Sequence, residues 1–204
     1  MIRLVTYNCH SIRNNAETVK DLLLSHDIVF LQELMIHDDD IGFLMNLNDD
    51  FEFCVQASSN KTDIISGRPS CGVAVFWRKC LNDVVEAFKV DERINGIYVT
   101  EGNNKILMIN VYMPYDAKDV YSLDNYLSNL SILNDLISLS EANNVILVGD
   151  FNADHLKNTR FWKELKCMAD TFDLFHVTGF LENHNFTYLC PADSATNFLD
   201  HIFL

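Results

Sequence analysis

The run Ile146-Leu147-Val148-Gly149-Asp150-Phe151-Asn152-Ala153 carries an apolar strand straight into an aspartate, with an asparagine two residues further on. Two other apolar runs stop in the same way: Leu4-Val5-Thr6-Tyr7 gives Asn8, and Val29-Phe30-Leu31-Gln32 gives Glu33. Asn and Asp bend chains wherever a strand stops, so each of them alone has an ordinary explanation. Glu has no such preference, and an unpaired carboxylate after a buried strand is costly, so Glu33 needs a cation. In α/β sheets ligand sites form at the carboxyl ends of strands, which lets these side chains converge on one cleft.

Outward from these three runs, the remaining apolar segments alternate between short β-like stretches and a few helical ones. Strands are expected at Ile2–Tyr7, Ile28–Gln32, Phe51–Gln56, Gly72–Trp77, Val84–Val90, Ile97–Thr100, Ile106–Tyr112, Val145–Val148 and Leu199–Leu204. Apolar residues recur at three and four over Ala16–Ser25 and Leu123–Ala142, and a third helix is expected over Thr159–Phe172. Hairpin-like neighbours mixed with helical crossovers predict layered α/β packing, helices outside and sheets inside. No linker, repeat or low-complexity tract divides the 204 residues, so they read as one domain.

Composition narrows the chemistry. Lys plus Arg is 15 against 29 Asp plus Glu, a net charge of −14, which repels polyanions at long range and leaves any phosphate to be met locally. The 6 Cys form no C-x-x-C pair and mostly sit in apolar runs, which suits a reducing, intracellular compartment, nuclear or cytoplasmic. The first residues lack the pattern of a signal peptide, and no run approaches the ~20 apolar residues of a membrane helix.

A site with few acids and no Cys/His ligand set suits a hard cation such as Mg²⁺, with Mn²⁺ as a substitute, held by oxygen ligands. Zinc is disfavoured, because the 7 His include no H-E-x-x-H or H-x₃-H pair and read as loop and surface residues. The acidic run His37-Asp38-Asp39-Asp40 lacks the glycine and spacing of a calcium loop and reads as a solvated helix start.

The order Thr6-Tyr7-Asn8, Leu31-Gln32-Glu33, Asn110-Val111-Tyr112-Met113-Pro114, Val148-Gly149-Asp150-Phe151-Asn152, Thr187 and Leu199-Asp200-His201-Ile202-Phe203 resembles the endonuclease/exonuclease/phosphatase superfamily over nearly the whole chain. Ile146–Ala153 and Gly72-Val73-Ala74-Val75-Phe76 look most like the apurinic-type endonuclease domain of non-LTR (LINE-type) retrotransposons. The resemblance implies a four-layered sandwich of two packed mixed sheets flanked by helices. It makes Glu33 the main metal ligand with Asn8 beside it, and Asp150 the residue that orients or deprotonates the attacking water. It also implies that Asn152 and Tyr112 contact the phosphate and that Asp200 orients a catalytic histidine. Asp200 begins a strand where the others end one, so it reaches the same edge only if its strand runs antiparallel to theirs. Thr187, Arg68 and Asn14 are expected at the substrate, and Arg13, Lys61, Lys157 and Arg160 lie in loops that can meet a phosphate backbone.

Two departures stand out. The superfamily pattern closes with Ser-Asp-His on a final strand; here Asp200-His201 runs on into the apolar Ile202-Phe203-Leu204 and matches the penultimate strand instead. The domain is therefore expected to be C-terminally incomplete, to lack the last strand and the catalytic His signature, and to self-associate through an exposed sheet edge. Asn197-Phe198 stands where related domains often have Ser-Arg. The implied function is a DNA-nicking, Mg²⁺-dependent endonuclease domain of a retrotransposon. The alternatives are an impaired module of the same fold with a binding role, or a small-molecule phosphoesterase.

Overall fold

The computed structural model describes residues 1–58, 71–178, 186–189 and 194–204. Its first sheet holds β1 (Leu4–Asn8), β2 (Ile28–Gln32), β3 (Phe51–Gln56) and β4 (Val73–Arg78) in the order β1-β2-β4-β3. Its second holds β5 (Val85–Lys89), β6 (Ile94–Glu101), β7 (Asn104–Tyr112), β8 (Asn144–Asp150) and the final β11 (Asp200–Phe203) in the order β11-β8-β7-β6-β5. A short ladder joins β9 (Tyr188–Leu189) to β10 (Thr196–Asn197).

Side-chain alternation along the strands builds the layers. On β2, Val29 and Leu31 pack with Val19 and Leu23 of α1 (Ala16–Ser25), while Ile28 and Phe30 pack with Ile97, Met108 and Val148 of the other sheet. On β7, Leu107, Ile109 and Val111 face α2 (Val120–Ser138) and α3 (Arg160–Thr171), while Met108 faces the first sheet. Strands buried on both faces read as continuous apolar runs instead of alternating ones, which is the pattern around Ile28–Gln32 and Ile106–Tyr112. The four layers run α1, first sheet, second sheet, then α2 with α3, so the sandwich expected from the sequence is the fold. No helix among the described residues is long and apolar enough to cross a membrane.

Two parallel pairs set the direction of the site. β1 and β2 are joined by α1, with Asn8 opposite Gln32; β7 and β8 are joined by α2, with Tyr112 opposite Asp150. The Asp119 side chain caps α2 by accepting from Ser122 N at 2.7 Å, and Thr159 caps α3 in the same way. Gly149 has φ +136°, and a Cβ there would sit 2.0 Å from the Val111 carbonyl oxygen, so only glycine lets β8 close on β7 just before Asp150.

β6 begins at Ile94, earlier than the expected Ile97, because Asn95 and Gly96 look like turn residues in sequence. Asn95 is instead buried between the sheets, where its amide donates to Cys54 O at 3.0 Å and accepts from Asn110 Nδ2 at 3.1 Å. Asn110 also donates to Leu31 O and Ala74 O and accepts from Gln32 Nε2 at 2.6 Å, so one amide network crosses from sheet to sheet. The outer side of β11 was expected to be bare; backbone bonds from Phe175 to Leu204 and from Val177 to Ile202 partly cover it.

Candidate active site

Asn8, Glu33, Tyr112 and Asp150 stand at the ends of β1, β2, β7 and β8, on one edge of the sandwich. The backbone turns sharply there: His10, Ser11, Glu33 and Asn152 have φ of 42°, 88°, 53° and 49°, a left-handed conformation that non-glycine residues adopt at some cost. Bonds between the two loops hold it, with Ser11 N donating to Glu33 O at 2.8 Å and Ile12 N to Leu34 O at 3.1 Å.

One amide ties the two sheets together at this edge. Asn8 Nδ2 donates to Glu33 Oε1 at 3.0 Å and to Asp150 Oδ2 at 2.8 Å. The other oxygen of Glu33 lies 2.8 Å from His10 Nδ1, and Asn8 Oδ1 accepts from His10 N. Asp150 Oδ1 accepts from Asn152 N at 2.9 Å, while Asn152 Nδ2 donates to Met113 O at 2.8 Å. β11 runs antiparallel to β8 with Asp200 directly opposite Asp150, which meets the condition for Asp200 to reach this edge. Thr187 Oγ1 accepts from Leu199 N and Asp200 N at 2.9 and 3.1 Å, pinning the start of β11.

The cluster carries more negative charge than it can solvate. Burial pushes the Asp150 carboxyl well above the usual range, and the Asp200 and Glu33 carboxylates push it further, against the Asn152 N–H and the Asn8 amide. Asp200 is raised to about 6 by burial and by Glu33. The Tyr112 hydroxyl is raised by burial and then by Glu33 and Asp150. Buried carboxyls this close are neutralised by a shared proton or by a nearby cation, and the oxygen donors of Glu33 and the Asn8 amide fit a hard divalent ion of the Mg²⁺ or Mn²⁺ kind.

The remaining expected contacts are scattered. Asn14 lies exposed on the turn after β1, its N–H bonded to Ser11 O. Arg68 and Lys61 lie outside the described residues. The cationic loop residues have internal partners: Arg13 pairs with Asp40 at 2.5 Å and stacks over Phe43, and Arg160 grips Asp116 and the start of α2. Lys157 lies on Thr196 O and on Asn197 Oδ1, the latter at 2.6 Å.

Sequence reasoning passed over His10, whose only signal is adjacency to Asn8. It also read all the histidines as loop and surface residues, which does not hold for three of them. His201 is fully buried, and His155 and His176 are half-buried beside it, with one ring nitrogen of each within 4.8 Å of the others. They come from three distant parts of the chain with no motif spacing, which hid the grouping.

The sequence profile of the Endonuclease/Exonuclease/phosphatase family matches residues 5–204. No curated protein matches the chain by sequence. Among solved structures, the AP endonuclease LMAP from Leishmania major superposes with a TM-score of 0.80 at 12% identity, covering 99% of this chain and 78% of that one. The endonuclease domain of TRAS1, a telomere-specific non-LTR retrotransposon, gives 0.67 at 12% identity, with 99% and 83% covered. A Bacteroides thetaiotaomicron mannosyl-6-phosphatase gives 0.66 at 14% identity, with 100% and 85% covered.

Proposed function

The chain belongs to the endonuclease/exonuclease/phosphatase family, whose enzymes generally depend on divalent metal, and from that premise we propose that it is a Mg²⁺-dependent phosphodiesterase that nicks DNA, the endonuclease domain of a non-LTR retrotransposon. The observation that carries this reading is the shared amide: Asn8 holds Glu33 and Asp150 together, and Asp200 stands across from Asp150.

Glu33, with Asn8 beside it, would hold the metal, and the ion would supply Lewis-acid stabilisation of charge on the phosphate oxygens. Asp150 orients the attacking water and accepts its proton, a role that needs hydrogen-bond reach and a carboxyl of raised basicity. Asp200 shares the burden, because two facing carboxyls in one buried site do not both ionise easily, so a proton taken by one is stabilised by the other. The Asn152 amide and the Tyr112 hydroxyl, kept protonated by its surroundings, donate to the phosphate. Thr187 fixes Asp200 in place, and Asn14, exposed on the turn after β1, is a further substrate contact.

A second reading, a small-molecule phosphoesterase, is favoured by the charge of −14 and by the internal pairing of Arg13 and Arg160, which leaves little basic surface for a polyanion. The test is direct. The 204-residue protein is incubated with supercoiled plasmid and Mg²⁺ beside Glu33→Ala. Nicked circles that vanish in the variant support the endonuclease. Turnover of sugar, inositol or lipid phosphoesters with an intact plasmid supports the second reading, and no turnover of either supports an impaired module with a binding role.

A further inference from the structure

We infer that His155, His176 and His201 form a second metal site, separate from the carboxylate edge, that takes a borderline divalent ion of the zinc class on three imidazole nitrogens. One ring nitrogen of each already lies within 4.8 Å of the others, and a tetrahedral zinc with bonds of about 2.0–2.1 Å would draw its donors in to about 3.3–3.4 Å, a closure within reach of side-chain rotation. No carboxylate belongs to the group, so it favours an imidazole-preferring ion over Mg²⁺.

Hydrogen bonding fixes the donor atoms. His201 Nε2 lies 2.7 Å from the Ala153 carbonyl, which can only accept, so that nitrogen carries the proton and leaves Nδ1 as a bare lone pair. This backbone bond is the outer support that metal-bound imidazoles usually have. The bare Nδ1 accepts from His176 Nε2 at 2.9 Å, and Thr178 Oγ1 lies 2.8 Å from the same Nε2. An ion would replace the proton that links these two nitrogens, with His176 keeping its proton on Nδ1 instead. His155 brings a third ring nitrogen to within 4.8 Å of the other two, and its Nδ1 is buried with no hydrogen-bond partner among the described residues. An orphaned buried nitrogen costs stability unless something occupies it.

The surroundings suit an ion. The imidazoles meet edge to face, with centroids 4.9 Å apart for His176–His201 and 5.1 Å for His155–His176. Trp162, Phe198 and Phe203 pack around them as a low-dielectric wall. Burial holds all three rings below their ordinary pKa, so they are neutral and able to ligate. His201 points to the face of β11 opposite Asp200, since neighbours on a strand alternate, so the ion would not share ligands with the carboxylates. It would tie the loop after Asp150 and Asn152 to β11 and to the segment covering it.

The test uses the full chain and does not depend on turnover. Purified protein is loaded with Zn²⁺, dialysed against metal-free buffer and assayed for retained metal; Co²⁺ is titrated separately for a tetrahedral absorption spectrum. The expected result is one ion per chain, a tetrahedral cobalt spectrum and a raised melting temperature. His155→Gln and His176→Gln should each lose the retained ion, while Glu33→Ala should keep it. His155 is half-exposed, so its variant should fold even if the His176 one does not. No retained zinc with no cobalt spectrum, retention unchanged in both histidine variants, or loss in Glu33→Ala alone would each overturn the inference.

Discussion

Asp200 sits directly across an antiparallel ladder from Asp150, so two carboxyls far apart in the chain face one buried space. Their mutual repulsion and their shared exposure to Glu33 make the site's protonation sensitive to every charge near it.

Replacing Asp150 by Asn should therefore separate chemistry from metal binding. The amide keeps the shape and can still meet Asn8, but it accepts no proton. Turnover should fall by about 10²–10⁴-fold while Mn²⁺ affinity, measured by calorimetry, changes little. An equal loss of both would contradict the water-activating role.

Glu33→Gln should lower the Asp200 pKa below about 6 in metal-free buffer, because Glu33 is one of the groups that raise it. Carboxyl titration by infrared or NMR spectroscopy reads this directly. An unchanged or higher value would mean that the Glu33 field does not reach Asp200.

Asn110→Leu should cost about 2–4 kcal/mol in urea unfolding, because it strips partners from Gln32, Asn95, Leu31 O and Ala74 O inside a dry inter-sheet layer. A loss under about 1 kcal/mol would show that the layer repacks or admits water.

Gly149→Ala should be poorly folded or inactive, since its Cβ would strike the Val111 carbonyl and the backbone there is left-handed. Circular dichroism and the plasmid assay check it. A soluble, fully active variant would mean that β8 can move without displacing Asp150.

His201 predicts an acid dependence. Burial holds its ring down to about 3, against about 6.5 in the unfolded chain. As pH falls below about 6.5 the unfolded state gains a proton that the folded state refuses, so stability is complete above that value and declines toward about 3. Relative to His201→Phe, the wild-type unfolding free energy should drop by about 1.4 kcal/mol per pH unit across that window, measured with chelator present. Parallel curves would refute it.

Much of this architecture was legible because burial on both faces of a strand leaves a continuous apolar run. β2, β3 and α1 fall on their expected residues, and the carboxylates were visible because they close such runs. What stayed hidden depends on distant partners. Asn95 inside β6 looks like a turn until the carbonyls of β3 and β4 come to meet it. The histidine group is invisible because nothing local distinguishes a ring that will be buried by β11 from one left in water.

The shared amide of Asn8 has one more implication. Asn8 and Glu33 belong to the first sheet, whereas Tyr112, Asp150 and Asp200 belong to the second, so the proposed reaction centre lies on the seam between two slabs. A slip of one slab past the other by a fraction of a bond length would leave each half intact yet uncouple them. An ion seated there acts as a rivet as much as a reagent.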